Sequence, residues 1–315
     1  MTEIVLHNKY DISRNDLTNI YGSSDLCDQF MNTFKRTYKN EDLTVYSANK
    51  IAISFTKNIK LYGVDPIIHP LSEEEQKNTT FNIPFAAILV QKWGYGFYHF
   101  VNEMLPKIIR IFEYNSKIPI IIFYNETFIK SILTYIGITN PIIPYNGTPQ
   151  YMIKNAILMT ETRSGNPTPS DIDVIRKYIR LNNTVKDTIV FIYRKERLRS
   201  ISNFDKVYDE LNIRFPKEQF VIFDSLPFDK TVQLFQKAKL IIGAHGAGLS
   251  NMIFGTKKTP VIEIFPVDIA NMCYWHLSWI LENPHYILAS ESSGPPALNI
   301  TINIEELCNL ISRLV

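Results

Sequence analysis

Arginine, histidine, glycine and glutamate residues in the second half of the chain have the types and order expected of a phosphate-binding site. Residues 243–254 (GAHGAGLSNMIF) hold three glycines and His245 between two apolar segments. Residues 240–242 predict a short buried strand, and residues 249–254 predict the first turns of a helix. Unpaired N–H groups and the dipole at such a helix start favour an anion, and glycines let a ligand approach the backbone. The candidate contacts of this predicted anion site are His245, Gly246, Ala247, Gly248 and Asn251, the last of which either holds a phosphate or caps the helix.

Charged residues are predicted on two further strands of the same half. Arg194 and Arg199 follow an apolar strand predicted at residues 188–193, and Glu263 interrupts another at residues 260–265. Guanidinium groups beside amide donors suit a polyphosphate, and a carboxylate on a neighbouring strand suits ribose hydroxyls. A buried carboxylate without a partner is costly, so Glu263 should face a partner or a cleft. Together these residues predict a nucleoside diphosphate site; a solvated charge run and a glycine turn kept for packing are the alternatives.

A second candidate site is predicted in the first half. His99 and Glu103 are four residues apart in a helix predicted at residues 97–112, where apolar residues recur at intervals of three and four. A carboxylate that orients an imidazole forms an acid/base pair. Glu103 is the candidate base and His99 its rival, whereas a capping histidine with an exposed glutamate is the structural alternative. Asn102 and Lys107 flank the same side and are expected to meet a polar substrate.

One metal-binding pattern is discounted. Asp171 and Asp173 form a DxD sequence, but they follow a Pro/Ser-rich linker and open a predicted helix. Acidic residues at that place are explained by capping and by the helix dipole. No metal site is therefore predicted.

Composition narrows the class of protein. The chain has 33 basic and 31 acidic residues, which predicts neither a nucleic-acid partner nor a membrane-surface one. Cys27, Cys273 and Cys308 contain no CxxC pair, so neither a disulfide framework nor a zinc site is indicated. No signal peptide pattern and no transmembrane segment are recognised, and a cytoplasmic location is expected.

Strands and helices are predicted to alternate, which is typical of α/β proteins with a mostly parallel sheet. The predicted strands lie at residues 86–91, 118–124, 141–144, 155–159, 188–193, 219–224, 240–244 and 260–265, after a β meander at residues 43–68. The predicted helices lie at residues 97–112, bent at Pro106, and at 128–136, 171–181, 204–211, 228–237 and 249–254. A Gly-, Pro- and Ser-rich hinge at residues 161–170 divides the 315 residues into predicted domains 1–165 and 166–315, with the last helix able to pack back on the first domain.

Several of these motifs together resemble glycosyltransferase family 61. The residues that carry the resemblance are 238–254 (AKLIIGAHGAGLSNMIF), 260–266 (PVIEIFP), Arg194 with 199–203 (RSISN), and 98–106 (YHFVNEMLP). The resemblance covers about residues 93–266, whereas the first eighty or so residues match no family that we can name.

The resemblance implies a GT-B-like fold, in which two Rossmann-like domains face each other across a cleft and the C-terminal one holds a nucleotide-sugar donor. It further implies inversion at the anomeric carbon, no obligatory metal, and no cofactor besides the donor, which would be UDP-linked. In this picture Arg194, Arg199 and His245 bind the diphosphate, and Glu103 or His99 takes a proton from a glycan or protein-linked acceptor. Polysaccharide biosynthesis is the implied setting, and the sugar, the acceptor and the oligomeric state stay open.

Three other functions are alternatives to a glycosyltransferase. A noncatalytic module that binds a nucleotide sugar or a glycan would keep the fold without the chemistry. An α/β hydrolase would need a GxSxG nucleophile elbow, which the sequence lacks. A NAD-linked oxidoreductase would need GxGxxG after the first strand, and HGAG is not that fingerprint.

Overall fold

A computed structural model of the chain describes residues 3–5, 12–13, 19–37, 44–45, 52–63, 65–124, 127–148, 150–159, 164–180, 184–194 and 198–315. These residues belong to two compact units. Unit 1 comprises Met1–Tyr10 and Ser47–Tyr178, and unit 2 comprises Asp11–Tyr46 and Ile179–Val315.

The described strands, in chain order, are β1 (Glu3–Val5), β2 (Ile12–Ser13), β3 (Ile20–Tyr21), β4 (Thr44–Val45), β5 (Ala52–Tyr62), β6 (Ile67–Pro70), β7 (Ile83–Ile88), β8 (Ile120–Phe123), β9 (Ile142–Tyr145), β10 (Tyr151–Met159), β11 (Thr188–Ile192), β12 (Gln219–Phe223), β13 (Ala238–Ala244), β14 (Val261–Pro266), β15 (His285–Ser292) and β16 (Ile300–Thr301). The described α-helices are α1 (Ser24–Thr37), α2 (Glu73–Lys77), α3 (Phe97–His99), α4 (Leu105–Tyr114), α5 (Ile129–Ile136), α6 (Pro169–Tyr178), α7 (Phe204–Arg214), α8 (Phe228–Gln236), α9 (Cys273–Ile280) and α10 (Ile304–Ile311). A π-helix (Phe100–Met104) joins α3 to α4, and a 3-10 helix (Ala247–Phe254) follows β13.

Unit 1 is built on a mixed sheet with the strand order β1-β5-β10-β7-β8-β9, and β6 also pairs with β5. The pairs β10–β7, β7–β8 and β8–β9 are parallel, whereas β5 is antiparallel to its neighbours. The strand β8 (IIIF) is buried along its whole length, as expected of a parallel strand that is covered on both faces.

Unit 2 is built on a sheet with the strand order β12-β11-β13-β14-β15-β16, in which β3 also pairs with β15. The strands from β12 to β15 are parallel, and only β16 among the described strands of this sheet pairs antiparallel. The residues TIVFI of β11 are all buried. Parallel strands bring their carboxyl ends to one edge of the sheet, which is where ligands bind in this kind of fold.

The described structure confirms the α/β class and most predicted elements. The strands predicted at residues 118–124, 188–193, 219–224 and 260–265 are β8, β11, β12 and β14, and the helices predicted at 128–136, 204–211 and 228–237 are α5, α7 and α8. Two helices differ in detail from the prediction. The first contains the π-helix, and Pro106, where a bend was predicted, lies in the first turn of α4. The helix predicted at residues 249–254 is confirmed as the 3-10 helix, which begins at Ala247.

Unit boundaries differ from the predicted ones at residues 165 and 166. The helix α6 belongs to unit 1, because the Arg110 guanidinium on α4 binds Asp171 on α6 (Nη1–Oδ1 2.5 Å) and both side chains are buried. Residues 11–46 belong to unit 2, where Phe30 of α1 packs on Phe265 (ring centroids 5.2 Å apart) and the hydroxyl of Thr33 donates to the Val267 carbonyl.

The last helix also belongs to unit 2. Leu307 and Leu310 of α10 pack in one apolar cluster with Leu211 of α7, and both helices are part of unit 2. Among the helices of the described ranges, none is both long and apolar enough to span a bilayer.

Candidate functional site

The predicted His99 and Glu103 pair forms in unit 1. The Nδ1 atom of His99 lies 3.0 Å from Oε2 of Glu103. The π-helix begins directly after His99 and contains Glu103, and the backbone N–H of Leu105 closes it on the carbonyl of Phe100. Single π turns inside α-helices are rare and occur often at functional sites. The spacing predicted contact between the two side chains, but it did not predict the π turn.

Glu103 is fully buried and accepts hydrogen bonds on both oxygens. Gln91 donates from Nε2 to Oε2 at 2.5 Å, and the backbone N–H of Gly165 donates to Oε1 at 2.9 Å. With His99 as the third partner, the carboxylate has the donors that a buried charge needs. Glu103 is therefore placed to hold the imidazole rather than to meet a substrate directly.

His99 is the more accessible member of the pair, because a quarter of its side chain (25%) is exposed. Its Nδ1 faces Glu103, with the hydroxyl of Ser164 3.4 Å away. In the part of the chain that the structure describes, no hydrogen bond reaches the other ring nitrogen, Nε2. A carboxylate that accepts from Nδ1–H leaves Nε2 as a proton acceptor. Of the two candidate bases given by the sequence, His99 is therefore the one with exposed surface.

Lys107 and Asn102 do not line an open substrate surface. Lys107 is buried and donates from Nζ to Oε1 of Gln91 at 2.8 Å. Asn102 is buried and donates to the carbonyl of Tyr98 at 2.9 Å. Lys107 therefore supports Glu103 through Gln91, and contact of Lys107 and Asn102 with a substrate stays a prediction.

Arg194 lies against the glycine loop in unit 2. It follows β11, and its guanidinium occupies the space that a side chain at Gly246 would need: a Cβ built there would be 1.7 Å from Nη1. The sequence predicted that the glycines admit a ligand to the backbone. At Gly246 this space is instead occupied by the Arg194 guanidinium. The absence of a side chain at Gly246 therefore lets this cation lie against the loop.

Gly243 and Gly248 are explained by packing against Ile192, the last residue of β11. A Cβ at Gly248 would lie 2.6 Å from Cγ2 of Ile192, and one at Gly243 would lie 3.0 Å from its Cβ. Ile192 is buried and β-branched, so it has little freedom to move. These two glycines therefore let the loop pack closely against β11, which agrees with the alternative that the glycines serve packing.

His245 and Glu263 form part of a buried chain of hydrogen bonds. Nδ1 of His245 lies 2.5 Å from Oε1 of Glu263, and Nε2 of His285 lies 2.9 Å from its Oε2. Nδ1 of His285 lies 2.8 Å from the hydroxyl of Ser278. Glu263 has no exposed surface and both of its oxygens face an imidazole, so it orients His245, and its contact with a ribose stays a prediction.

The charge of Glu263 is favoured by these partners. Burial raises the pKa of its carboxyl, but the hydrogen bonds from His245 and His285 outweigh burial and hold the pKa below the usual value. A carboxylate that faces Nδ1 fixes the orientation of the His245 ring. The arrangement therefore presents an oriented imidazole at the carboxyl ends of β13 and β14.

Tyr274 packs beside His245, with its ring centroid 5.1 Å from that of the imidazole. Burial raises the pKa of Tyr274 well above its usual value, the charges of Cys273 and Glu263 add to this, and Arg199 and Arg194 act in the opposite direction. Arg194 and His245 follow the carboxyl ends of the neighbouring parallel strands β11 and β13. That they and Arg199 bind one diphosphate stays a prediction.

The rest of the loop divides into exposed and buried residues. Ala247 and Gly248 are partly exposed, whereas Asn251 is buried and donates to the carbonyl of Gly248 at 2.8 Å. That hydrogen bond is not a helix cap, because a capping side chain accepts from a backbone N–H and no side chain does so at the start of this 3-10 helix. Trp275 and His276 on α9 are buried in unit 2.

Asp171 has the structural role that the sequence assigned to it. Its Oδ2 accepts from the N–H and hydroxyl of Thr168, and the hydroxyl of Thr168 accepts from the N–H of Asp171, which is a capping box at the start of α6. Its other oxygen binds Arg110, so the carboxylate is fully engaged.

Sequence reasoning missed three buried supporting residues, Gln91, Ser278 and His285. A histidine at the start of an apolar strand (HYILAS) was a signal for His285, because a buried polar side chain needs a partner. Gln91 lay at the end of a predicted strand without any pattern to mark it. Arg197, which lies between Arg194 and Arg199, is outside the described residues.

A family model described as Glycosyltransferase 61 matches residues 97–262, just over half of the 315-residue chain. The matched range contains the His99 and Glu103 pair, Arg194, Arg199 and the loop with His245, and it ends before Glu263. No curated protein matches the chain significantly.

Proposed function

Because the chain belongs to glycosyltransferase family 61, we propose that it is an inverting, metal-independent glycosyltransferase. It transfers a sugar from a nucleotide-sugar donor, of the UDP-linked type, to a glycan or protein-linked acceptor. The observation that carries the proposal is the family match, since residues 97–262 include both the imidazole–carboxylate pair of unit 1 and the cationic cluster of unit 2. A GT-B-like architecture of two Rossmann-like domains is part of the proposal, and the parallel strands of both sheets support it.

On the donor side, Arg194, Arg199 and His245 bind the diphosphate. Guanidinium groups bind phosphate oxygens through paired, charge-assisted hydrogen bonds, and they stabilise the charge that develops on the leaving diphosphate. Glu263 acts through His245, whose ring it orients. The close approach of Arg194 to Gly246 supports this assignment, because it holds the guanidinium at the start of the 3-10 helix.

On the acceptor side, His99 is the base. The acceptor oxygen bonds to the anomeric carbon as the bond from that carbon to the diphosphate breaks, and the hydroxyl proton passes to Nε2 of His99. Glu103 stabilises the imidazolium that forms. The exposure of His99 and the complete burial of Glu103 support this division of roles.

Thermal unfolding with a panel of nucleoside diphosphates and nucleotide sugars, each with and without EDTA, tests the proposal. We expect UDP to raise the midpoint, the shift to survive EDTA, and Arg194→Ala to reduce it, because a ligand that binds only the folded state stabilises it. Arg313→Ala is the matched control, since Arg313 is exposed on the C-terminal segment and lies over Tyr21.

Two results would change the conclusion. If the folded protein gives no shift with any nucleotide, the donor site is absent and the transferase proposal fails. The second result is that nucleotide sugars bind without any transfer or hydrolysis of the sugar and that His99→Ala leaves all binding unchanged. The protein is then better described as a noncatalytic module that binds a nucleotide sugar or a glycan.

A further inference from the structure

The turn between β7 and α3 exposes two aromatic rings directly before His99. Trp93 and Tyr95 have 49% and 52% of their surface exposed. Their ring centroids lie 6.3 Å apart with an angle of 57° between the ring planes. Large apolar side chains grouped at the surface usually mark a binding site.

Both rings are held from the protein side. Tyr95 packs edge to face on Phe123, with ring centroids 5.9 Å apart. Nζ of Lys92 lies 5.3 Å from the centroid of the Trp93 ring, and the same amine pairs with Asp65 at 3.5 Å. The rings are therefore oriented before any ligand arrives, which lowers the entropy cost of binding. Because Lys92 is engaged by Asp65, the surface favours a neutral ligand over a phosphate.

The backbone of this turn is strained at Trp93. Its φ of +66° lies in the left-handed region, where a bulky residue is an outlier. Such outliers cluster at functional sites. The left-handed backbone at Trp93 therefore adds to the reasons for testing this turn as a site.

The turn leads directly into the helix that carries the proposed base. A Cβ placed on Gly96 would lie 3.4 Å from the carbonyl oxygen of Trp93 and 3.7 Å from Cδ2 of His99. The turn and the imidazole therefore both border the position of Gly96. A ligand that extends from the two rings past Gly96 would reach His99.

We propose that Trp93 and Tyr95 form an acceptor platform on which a pyranose ring of the acceptor glycan stacks. The C–H face of a sugar packs on an aromatic face through dispersion and weak C–H to π contacts, while its hydroxyl edge stays available for hydrogen bonding. The stacked ring presents a hydroxyl to Nε2 of His99. This inference rests on the proposed function and specifies the acceptor as a carbohydrate.

Saturation-transfer NMR titrations with cellobiose, xylobiose, lactose and N,N′-diacetylchitobiose test the platform. We expect at least one of these sugars to receive saturation on its axial ring protons, and Trp93→Ala to raise its Kd roughly three- to tenfold. Trp93→Phe should restore part of the affinity. Trp279→Ala is the matched control, because Trp279 is 42% exposed in unit 2 and lies outside the platform.

Thermal unfolding of the same variants separates binding from folding. Trp93→Gly should raise the midpoint, since glycine adopts the left-handed conformation without strain, while it weakens sugar binding as Trp93→Ala does. The inference is overturned if no sugar of the panel contacts the wild-type protein or if Trp93→Ala leaves its Kd unchanged. If Trp93→Ala weakens UDP instead of the sugar, the platform stacks a nucleotide base and the inference is also wrong. Absence of UDP binding in the wild-type protein would instead contradict the proposed function.

Discussion

Replacing Gly246 by alanine tests the contact that holds Arg194 in the donor site. An alanine Cβ would be 1.7 Å from Nη1, whereas ordinary contact begins at 3.4 Å, so this atom must move by about 1.7 Å. The backbone of Gly246 is extended (φ 165°), so alanine itself is not strained. The guanidinium is the end of a flexible side chain, and the fold should tolerate its displacement.

Such a displacement takes Nη1 out of hydrogen-bond range of a phosphate, because these bonds span only about 2.7–3.2 Å. A hydrogen bond to a charged group contributes about 1.5–3 kcal/mol. Since 1.4 kcal/mol is a tenfold change, the Kd for UDP should rise about 10- to 100-fold. Isothermal titration calorimetry measures this change, and the unfolding midpoint without ligand should stay at or slightly above that of the wild type.

A double-mutant cycle and a second glycine supply the controls. In the Arg194→Ala background, Gly246→Ala should cause no further loss of UDP affinity, because the two changes remove the same interaction. Gly248→Ala should instead lower the free energy of unfolding by about 1–3 kcal/mol, since its Cβ meets buried Ile192 at 2.6 Å. Unchanged UDP affinity in Gly246→Ala, or equal losses with and without Arg194, would refute the reasoning.

Two further predictions concern buried carboxylates. Glu263→Gln should lower the free energy of unfolding at pH 7 by about 1–3 kcal/mol, because the new amide faces the N–H group of His245 or His285. The pKa of Glu263 lies below the ordinary value of 4.5, so the stability that its carboxylate contributes is complete above pH 4.5 and is lost as the pH falls through the lowered pKa. Urea unfolding between pH 7 and 3 should therefore show a shrinking difference in the free energy of unfolding between the wild type and Glu263→Gln. A difference that stays constant would argue against an ionised carboxylate. Asp171→Ala should destabilise by about 3–5 kcal/mol, since it leaves buried Arg110 unpaired; a loss below about 1 kcal/mol in urea would show that the pair does not hold α6 in unit 1.

The candidate site was predicted in part because its chemistry is local in sequence. His99 and Glu103 are one helical turn apart, and the glycine loop follows its strand directly, so residue types and spacing sufficed to place them. The role of each member did not follow, because it depends on burial and on partners from elsewhere in the chain. Gln91 and Gly165 engage both oxygens of Glu103, which is why our proposal gives the role of the base to His99.

The difference between local spacing and long-range contacts also separates what the sequence determined from what the tertiary structure decided. The alternation of short apolar strands with amphipathic helices determined the α/β class, and the order of motifs determined the family. Only the tertiary structure placed α1 in unit 2, brought His285 to Glu263 and set the Arg194 guanidinium in the space left by Gly246. Periodicity and spacing encode contacts within one element or one loop, whereas contacts between distant segments depend on the register and packing of the whole sheet.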